Sequence, residues 1–237
     1  MLSDTFYLDG VDARSVGIYL QKPIVFSEAI PSIESKTIPG RNGNLIFYTG
    51  SYENRSGSAS CFCLQKNVEK AISSASRFLM GEKGYRRLET SDDPDHYWLA
   101  RVVNSPEINM RLKTLAPFKI EFDCKPQRFL KSGEFPIDFS ESIYLFNQYG
   151  QVALPTIILY GEETPSVLTV GDCVVNISKI KNYIRLDSET QNAYNMWGNE
   201  NGNINAPVFP VLGDGLTRIK TEGGITNARI IPRWWEL

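Results

Sequence analysis

The chain has 237 residues, which fit one large domain or two small ones. Hydrophobic residues make up 42% and charged residues 22% of the chain, so its composition is that of a folded protein and argues against disordered, collagen-like and coiled-coil classes. Twenty-five Lys and Arg against 27 Asp and Glu give a net charge of −2, which disfavours a dedicated nucleic-acid binder because such a protein needs a concentrated basic surface.

The first part of the chain predicts strands with one helix. Between Asn67 and Gly81, apolar residues recur at spacings of three and four, which predicts an amphipathic helix with Asn67 as its N-cap. Strands are predicted over residues 5–8, 47–48, 58–64, 85–89, 97–103 and 118–124, with a turn over residues 91–95.

Residues 125–142 contain two prolines and a glycine among polar residues and predict a linker, with regular alternation resuming near residue 152. We therefore expect two domains, 1–130 and 131–237. The second is predicted to be a β-sandwich with strands over residues 152–160, 166–170, 173–178, 182–187, 216–221 and 227–231. Gly171-Asp172 predicts a tight hairpin turn.

The segment from Asn192 to Leu212 is rich in Asn, Gly and Pro and predicts a long polar connection. Tyr194, Trp197 and Phe209 are expected to anchor it. The adjacent Trp234 and Trp235 close to the C-terminus are expected to be docked against the body of the protein, because exposed tryptophans at a free end promote aggregation.

Motifs of catalysis, cofactor binding and metal binding are scarce, and we assign no residue to any of these roles. His96 is the single histidine, so every His-dependent hydrolase scheme would need it; we expect a partly exposed turn residue instead. Asp92, Asp93 and Asp95 lack the spacing of a compact calcium loop and indicate a solvated turn.

The cysteines are expected to be four free thiols. Cys61 and Cys63 form a CxC pattern that places both side chains on one face of a strand, where they behave as small buried apolar groups; a metal site is the less favoured reading. The loop from Gly40 to Gly43 lacks the phosphate-binding pattern of nucleotide-binding proteins. It predicts a tight, exposed turn that presents Arg41. The turn either only connects two strands or makes a contact in an assembly.

Membrane insertion and secretion are not expected. The longest apolar runs fall far short of the roughly 20 residues that cross a bilayer, and the first ten residues lack the basic and apolar regions of a secretory signal. We therefore expect synthesis and folding in the cytoplasm.

Four segments together resemble the distal tail (Dit) proteins of siphophages and prophages of Gram-positive bacteria. These are the Leu8-Asp9-Gly10 turn leading to Gly17, the loop 38–43 before an aromatic strand, the segment 182–194, and Phe209-Pro-Val-Leu212 followed by the terminal residues 232–237. The matches run through almost the whole chain in the family's order.

The resemblance implies a mainly β protein: a β-rich α+β N-terminal domain with one helix, and a galectin-like β-sandwich as C-terminal domain. It implies a structural, non-enzymatic role as a baseplate hub at the tail tip of the virion. Six copies would form a ring that joins the tail tube protein to the tail-associated lysin or fibre base, and a receptor-binding protein is a further candidate partner. Phage DNA would pass through the ring without specific binding, and we expect Arg41, Asn42 and Asn44 at the contact between subunits.

Two other functions stay open from the residues alone. Exposed aromatics on a sandwich, such as Trp197 and Tyr194, can stack on sugars, so a carbohydrate-binding module is the first alternative. A cell-wall hydrolase is the second, and the scarcity of catalytic motifs argues against it.

Overall fold

The computed structural model describes residues 4–64, 68–104 and 115–237. The fold is mainly β, as predicted, with one α-helix in the described residues. Contacts divide the chain into residues 1–128 with Leu237, and residues 129–236. We call these the N-terminal and C-terminal units. The described part of the chain contains no helix with the length and apolar character that crossing a membrane requires.

The N-terminal unit consists of a large antiparallel sheet, a separate two-stranded hairpin and the helix. Its elements are β1 (Phe6–Leu8), β2 (Val11–Asp12), β3 (Ile18–Leu20), β4 (Val25–Phe26), β5 (Pro31–Thr37), β6 (Asn44–Tyr52), β7 (Arg55–Leu64), α1 (Val68–Met80), β8 (Arg86–Thr90), β9 (Asp93–Val102) and β10 (Leu115–Leu130). The sheet order is β2-β1-β8-β9-β10-β7-β3, and β4 also pairs with β7.

One hydrophobic core forms between this sheet and helix α1. Phe6 and Phe122 meet edge to face with ring centroids 5.9 Å apart, and Ala75 and Leu79 of the helix are fully or almost fully buried. The helix agrees with the prediction, and the N–H of Gly81 bonds Arg77 O at its end (2.8 Å). The predicted N-cap, Asn67, lies outside the described residues.

The predicted turn over residues 91–95 is wrong in extent. Strand β9 already begins at Asp93, which pairs with Thr90, so the connection shrinks to Ser91 and Asp92. The Asp93 carboxylate accepts hydrogen bonds from Arg128 and contacts His96, and these contacts offset the low strand propensity of an Asp-Pro-Asp segment.

The C-terminal unit is built from strands alone, with two short 3-10 turns. Its strands are β11 (Ile137–Phe139), β12 (Ser142–Asn147), β13 (Thr156–Val170), β14 (Cys173–Ile177), β15 (Asn182–Asp187), β16 (Asn192–Asn195), β17 (Gly198–Asn199), β18 (Ile204–Asn205), β19 (Gly215–Ile231) and β20 (Trp235–Glu236). The predicted hairpin at Gly171-Asp172 is present, with Val170 paired to Cys173.

Two long strands, β13 and β19, bend in the middle and belong to both halves of the unit. The first half of β13 pairs with β15, and its second half pairs with β14. Strand β19 pairs with β13 along both halves, with register shifts between Tyr160 and Ser166. Side chains from both halves share one core, including Ile157 and Leu186 from the first and Leu168 and Val175 from the second. The bent sheet thus encloses its own hydrophobic interior.

Two further expectations for this region are wrong. More than half of residues 125–142, predicted as a linker, lie in strands: β10 continues to Leu130, and β11 and the first residue of β12 pair with β19. The connection 192–212 contains three short strands, and Trp197 does not anchor it, because 58% of its surface is exposed. Phe209 does pack against the core.

The terminal tryptophans are docked, as predicted. Trp234 is buried in the C-terminal core, and Trp235 donates from Nε1 to Val152 O (3.0 Å). The preceding Arg233 makes two parallel bonds to the Asp187 carboxylate, Nη1 to Oδ1 (2.9 Å) and Nη2 to Oδ2 (3.1 Å). The end of the chain is therefore held by packing and by a bidentate ion pair.

Candidate assembly surface

A two-stranded hairpin, residues 31–52, stands apart from the large sheet of the N-terminal unit. We call it the arm. Its strands β5 and β6 pair with each other, and neither joins another strand of the described chain. Nearly all of its side chains are exposed. An isolated two-stranded hairpin with no further strand or helix against it is only marginally stable in water.

The tip of the arm holds all three residues predicted at a subunit contact. Gly40 and Gly43 adopt φ values of +79° and +80°, which glycine tolerates best, and Arg41 N–H bonds Ile38 O (3.2 Å). Arg41, Asn42 and Asn44 are exposed, and Thr37 Oγ1 donates to Asn44 Oδ1 (3.2 Å). The predicted exposed turn is confirmed; its role in a contact stays a prediction.

One face of the arm carries three exposed apolar side chains beside polar ones. Ile33 lies opposite Tyr48, and Ser35 lies opposite Ile46, so Ile33, Ile46 and Tyr48 project from the same side of the hairpin. About half of the surface of each isoleucine and 76% of that of Tyr48 are exposed. Contiguous exposed apolar side chains of this kind mark interaction surfaces.

Hydrogen bonds fix the base of the arm. Glu53 N–H bonds Ile30 O (2.9 Å), Ser27 N–H bonds Ser56 O (2.8 Å), and Arg55 Nε donates to Ser27 O (2.7 Å). These hydrogen bonds join the segment that enters the arm to the segment that leaves it, and they restrict movement at its base.

Sequence reasoning found the tip of the arm but missed its exposed apolar side chains and the whole of β5. The segment Pro31–Thr37 shows no alternation of apolar and polar residues, because both of its faces meet water. The run Leu45–Tyr48 is visible as a β-prone stretch. A single sequence does not tell whether such a stretch lies in a core or on a surface.

The candidate catalytic and metal-binding residues have structural contacts. His96 Nδ1 lies 2.7 Å from Asp93 Oδ1, and Arg128 Nη2 donates to Asp93 Oδ2 (2.6 Å). Burial opposes ionisation of Asp93, but the bonds from His96 and Arg128 outweigh it and hold its pKa below the ordinary value. Asp92 and Asp95 are exposed. Within the described ranges, no three His, Cys, Asp or Glu side chains are grouped to hold a metal ion.

Cys61 and Cys63 lie on the core face of β7, as the CxC pattern predicts, and both are buried. Burial raises the pKa of Cys61 to about 12 and that of Cys63 to about 11, and it also raises the pKa of Cys124 to about 12. Thiols this hard to ionise are poor nucleophiles at neutral pH, so they contribute packing.

Comparison with solved structures shows a likeness over nearly the whole chain. No family model and no curated protein matches the sequence. The crystal structure of the Dit protein (gp 19.1) of phage SPP1 matches with a TM-score of 0.74 and 15% sequence identity, covering 96% of this chain and 97% of that one. The chain has the Dit fold. The resemblance inferred from the sequence is thus confirmed at the level of fold. The SPP1 Dit protein is described as a paradigm of the hub adsorption apparatus in phages that infect Gram-positive bacteria.

Proposed function

We propose that this protein is the structural hub of a phage tail tip, where six copies form a ring between the tail tube and the host-adhesion apparatus. The observation that carries the proposal is the match to the Dit fold over nearly the entire length of both chains. Fold alone does not specify function. The proposal gains support from the arm, because a protein that works by assembly needs a prepared contact surface.

The arm is the contact between neighbouring copies in this proposal. A closed ring of identical subunits requires two different faces on each subunit, one of which receives the other. A projecting hairpin with exposed apolar side chains and an arginine at its tip supplies one such face. Arg41, Asn42 and Asn44 then lie at its leading edge, where the guanidinium pairs with a carboxylate of the next copy.

The remaining partners follow from the same role. The ring contacts the tail tube protein on one side and the tail-associated lysin or fibre base on the other, with a receptor-binding protein as a further partner. It occupies the tail tip of the virion, and the C-terminal unit forms an outward-facing, galectin-like sandwich. A net charge of −2 suits a channel through which DNA passes, because many phosphate contacts would retard it.

Light scattering tests the ring and the arm together. The molar mass of the wild type is measured across a concentration series, alone and with the neighbouring tail-tip proteins. Arg41→Glu and Tyr48→Asp are expected to lower the mass of the assembly while circular dichroism stays unchanged, because neither side chain contributes to the core. Tyr144→Asp is the matched control, since Tyr144 is also an exposed strand tyrosine but lies outside the arm.

Two results contradict this proposal. A wild type that stays monomeric in reconstituted tail tips rules out the ring. Arm variants that assemble as well as the Tyr144→Asp control leave the ring in place but remove the arm from its interface.

Carbohydrate binding is a second candidate because of one feature of the C-terminal unit. Trp197 is 58% exposed at the turn between β16 and β17, where its backbone N–H donates to Asn195 Oδ1 (2.8 Å). An asparagine network beside it includes Asn192, whose Oδ1 accepts from Asn199 and Asn201. An exposed aromatic ring beside amide side chains suits a sugar. Binding to a glycan array that is lost in Trp197→Ala would support this function.

A further inference from the structure

The chain contains two Asn-Gly dipeptides, Asn42-Gly43 at the tip of the arm and Asn201-Gly202 in the C-terminal unit. Asparagine is a chemically labile residue, above all before glycine, because a residue without a Cβ leaves its backbone nitrogen open to the preceding side chain. The two dipeptides consist of the same two residues. A difference in reactivity between them in the native protein therefore comes from the fold.

At the tip of the arm, the Asn42 side chain can reach the backbone nitrogen of Gly43. Asn42 is exposed, and neither its carboxamide nor the Gly43 N–H has a hydrogen-bond partner in the described part of the chain. A Cβ built on Gly43 would meet open space, so no neighbouring group crowds this position. The geometry leaves the carboxamide and the nitrogen of the next residue free to react with each other.

The Asn201 side chain, in contrast, is fixed through both of its polar atoms. Its Oδ1 accepts from Ala193 N–H (2.6 Å), and its Nδ2 donates to Asn192 Oδ1 (2.9 Å), so the carboxamide is tied to strand β16. Its backbone N–H donates to Asn199 Oδ1 (2.9 Å), and the residue begins the 3-10 turn Asn201–Asn203. Because an intramolecular attack requires the reacting atoms to be close and aligned, these bonds protect Asn201.

We propose that Asn42 is a site of spontaneous deamidation in the free subunit, with water as the co-reactant. The Gly43 nitrogen attacks Asn42 Cγ. As this N–Cγ bond forms, the Cγ–Nδ2 bond breaks, and the amide leaves as ammonia with the proton of the Gly43 N–H. Water then opens the cyclic imide at one of its two carbonyls: cleavage of the new N–Cγ bond gives aspartate, and cleavage of the original peptide bond gives isoaspartate.

The reaction changes the charge and the shape of the arm tip. Both products place a carboxylate beside Arg41, and isoaspartate adds a methylene to the backbone of a turn that Gly40 and Gly43 close with positive φ. The new carboxylate competes with a carboxylate of the next copy for the Arg41 guanidinium. This effect on assembly rests on the proposed contact at the arm, whereas the deamidation does not. In that contact the tip is covered, so the reaction belongs to the free subunit.

Peptide mapping by mass spectrometry tests the site. The full chain is incubated at mildly alkaline pH, at a concentration at which light scattering gives the mass of a monomer, and is then digested with pepsin in acid, where deamidation is slow. Fragment spectra separate Asn42 from the nearby Asn44. We expect Asn42 to react at least about tenfold faster than Asn201 in the folded protein. In urea, where both dipeptides lack a fold, the two rates should become similar.

The control variant is Asn42→Gln, whose longer side chain disfavours closure of the five-membered ring. It should remove the reaction from the tip and leave the slow rate at Asn201 unaltered, with an unchanged circular dichroism spectrum because the tip lies outside the core. Equal rates at Asn42 and Asn201 in folded wild type overturn the proposal. So does a rate at Asn42 that rises in urea as much as the rate at Asn201, because the fold would then protect both sites alike.

The effect on assembly is measured separately by light scattering with the neighbouring tail-tip proteins. Asn42→Asp carries the charge of the product from the start, and Asn42→Gln is the neutral control. We expect aged wild type and Asn42→Asp to assemble less than fresh wild type and Asn42→Gln. If aged protein carries the new charge at Asn42 but assembles like fresh protein, the effect on assembly is wrong and the deamidation stands. If fresh wild type does not assemble, the ring is wrong, and the peptide map alone decides the deamidation.

Discussion

Gly223 lies at the bend of strand β19, where we expect an alanine substitution to destabilise the C-terminal unit strongly. The backbone there has φ = +82°, and an added Cβ would press on Pro165 O and lie 2.9 Å from Ser166 Cα. Gly215 has the same φ of +82°, yet its Cβ would meet open space. The pair therefore separates the cost of the backbone conformation from the cost of the steric clash.

The expected magnitudes follow from these two terms. A non-glycine residue in the left-handed region costs about 1–2 kcal/mol, which is the whole effect expected for Gly215→Ala. Gly223→Ala adds roughly 1–3 kcal/mol of overpacking against backbone. With about 4–8 °C for each kcal/mol in a unit of roughly 100 residues, a total of about 3 kcal/mol lowers the melting temperature of the C-terminal unit by roughly 12–24 °C.

Scanning calorimetry of the full chain measures both variants, with Gly213→Ala as a control at a position that has open space and no positive φ. We expect the order Gly213→Ala, Gly215→Ala, Gly223→Ala in increasing loss of stability. If Gly223→Ala and Gly215→Ala have the same melting temperature, the argument that the bend requires close backbone packing is refuted.

Three other predictions concern the domains, the terminal tryptophan and the thiols. The expected domains, 1–130 and 131–237, should give two calorimetric transitions, of which Gly223→Ala moves one; a single transition that moves as a whole would contradict this division. Trp234→Ala should cost about 3–5 kcal/mol in urea unfolding, whereas Trp197→Ala should stay within about 0.5 kcal/mol; equal losses would show that the terminus is not docked. All four cysteines should react as free thiols in denatured protein without reductant. The pKa of the buried thiols is about 9 in the unfolded chain and about 11 to 12 in the folded protein, so their contribution to stability is complete below pH 9 and is lost as the pH rises towards 12. The free energy of unfolding of Cys61→Ala should therefore depend less on pH in this range than that of the wild type. An equal pH dependence in the two proteins would argue against the burial of Cys61.

Local patterns predicted the parts of the fold that depend on local chemistry. The helix was visible because its apolar residues recur at helical spacing, and the hairpin at Gly171 because glycine permits the positive φ of a tight turn. The docking of Trp234 followed from the cost of exposing a large aromatic side chain. The helix and the hairpin are decided by residues close together in sequence.

The failures have a common physical origin in long-range contacts. Residues 137–142 were predicted as part of a linker because prolines, a glycine and polar residues lie nearby, yet pairing with β19, about eighty to ninety residues later in the chain, places Ile137–Phe139 and Ser142 in strands. Asp93 joins a strand because Arg128 neutralises its carboxylate from another part of the chain.

Electron cryomicroscopy of the isolated tail tip tests the central claim most directly. The account predicts six copies of this chain in a closed ring at the end of the tail tube, with the arm of each copy, residues 31–52, packed on its neighbour through Ile33, Ile46 and Tyr48. A tail tip that lacks this chain, or a ring in which every arm points into solvent, would contradict it.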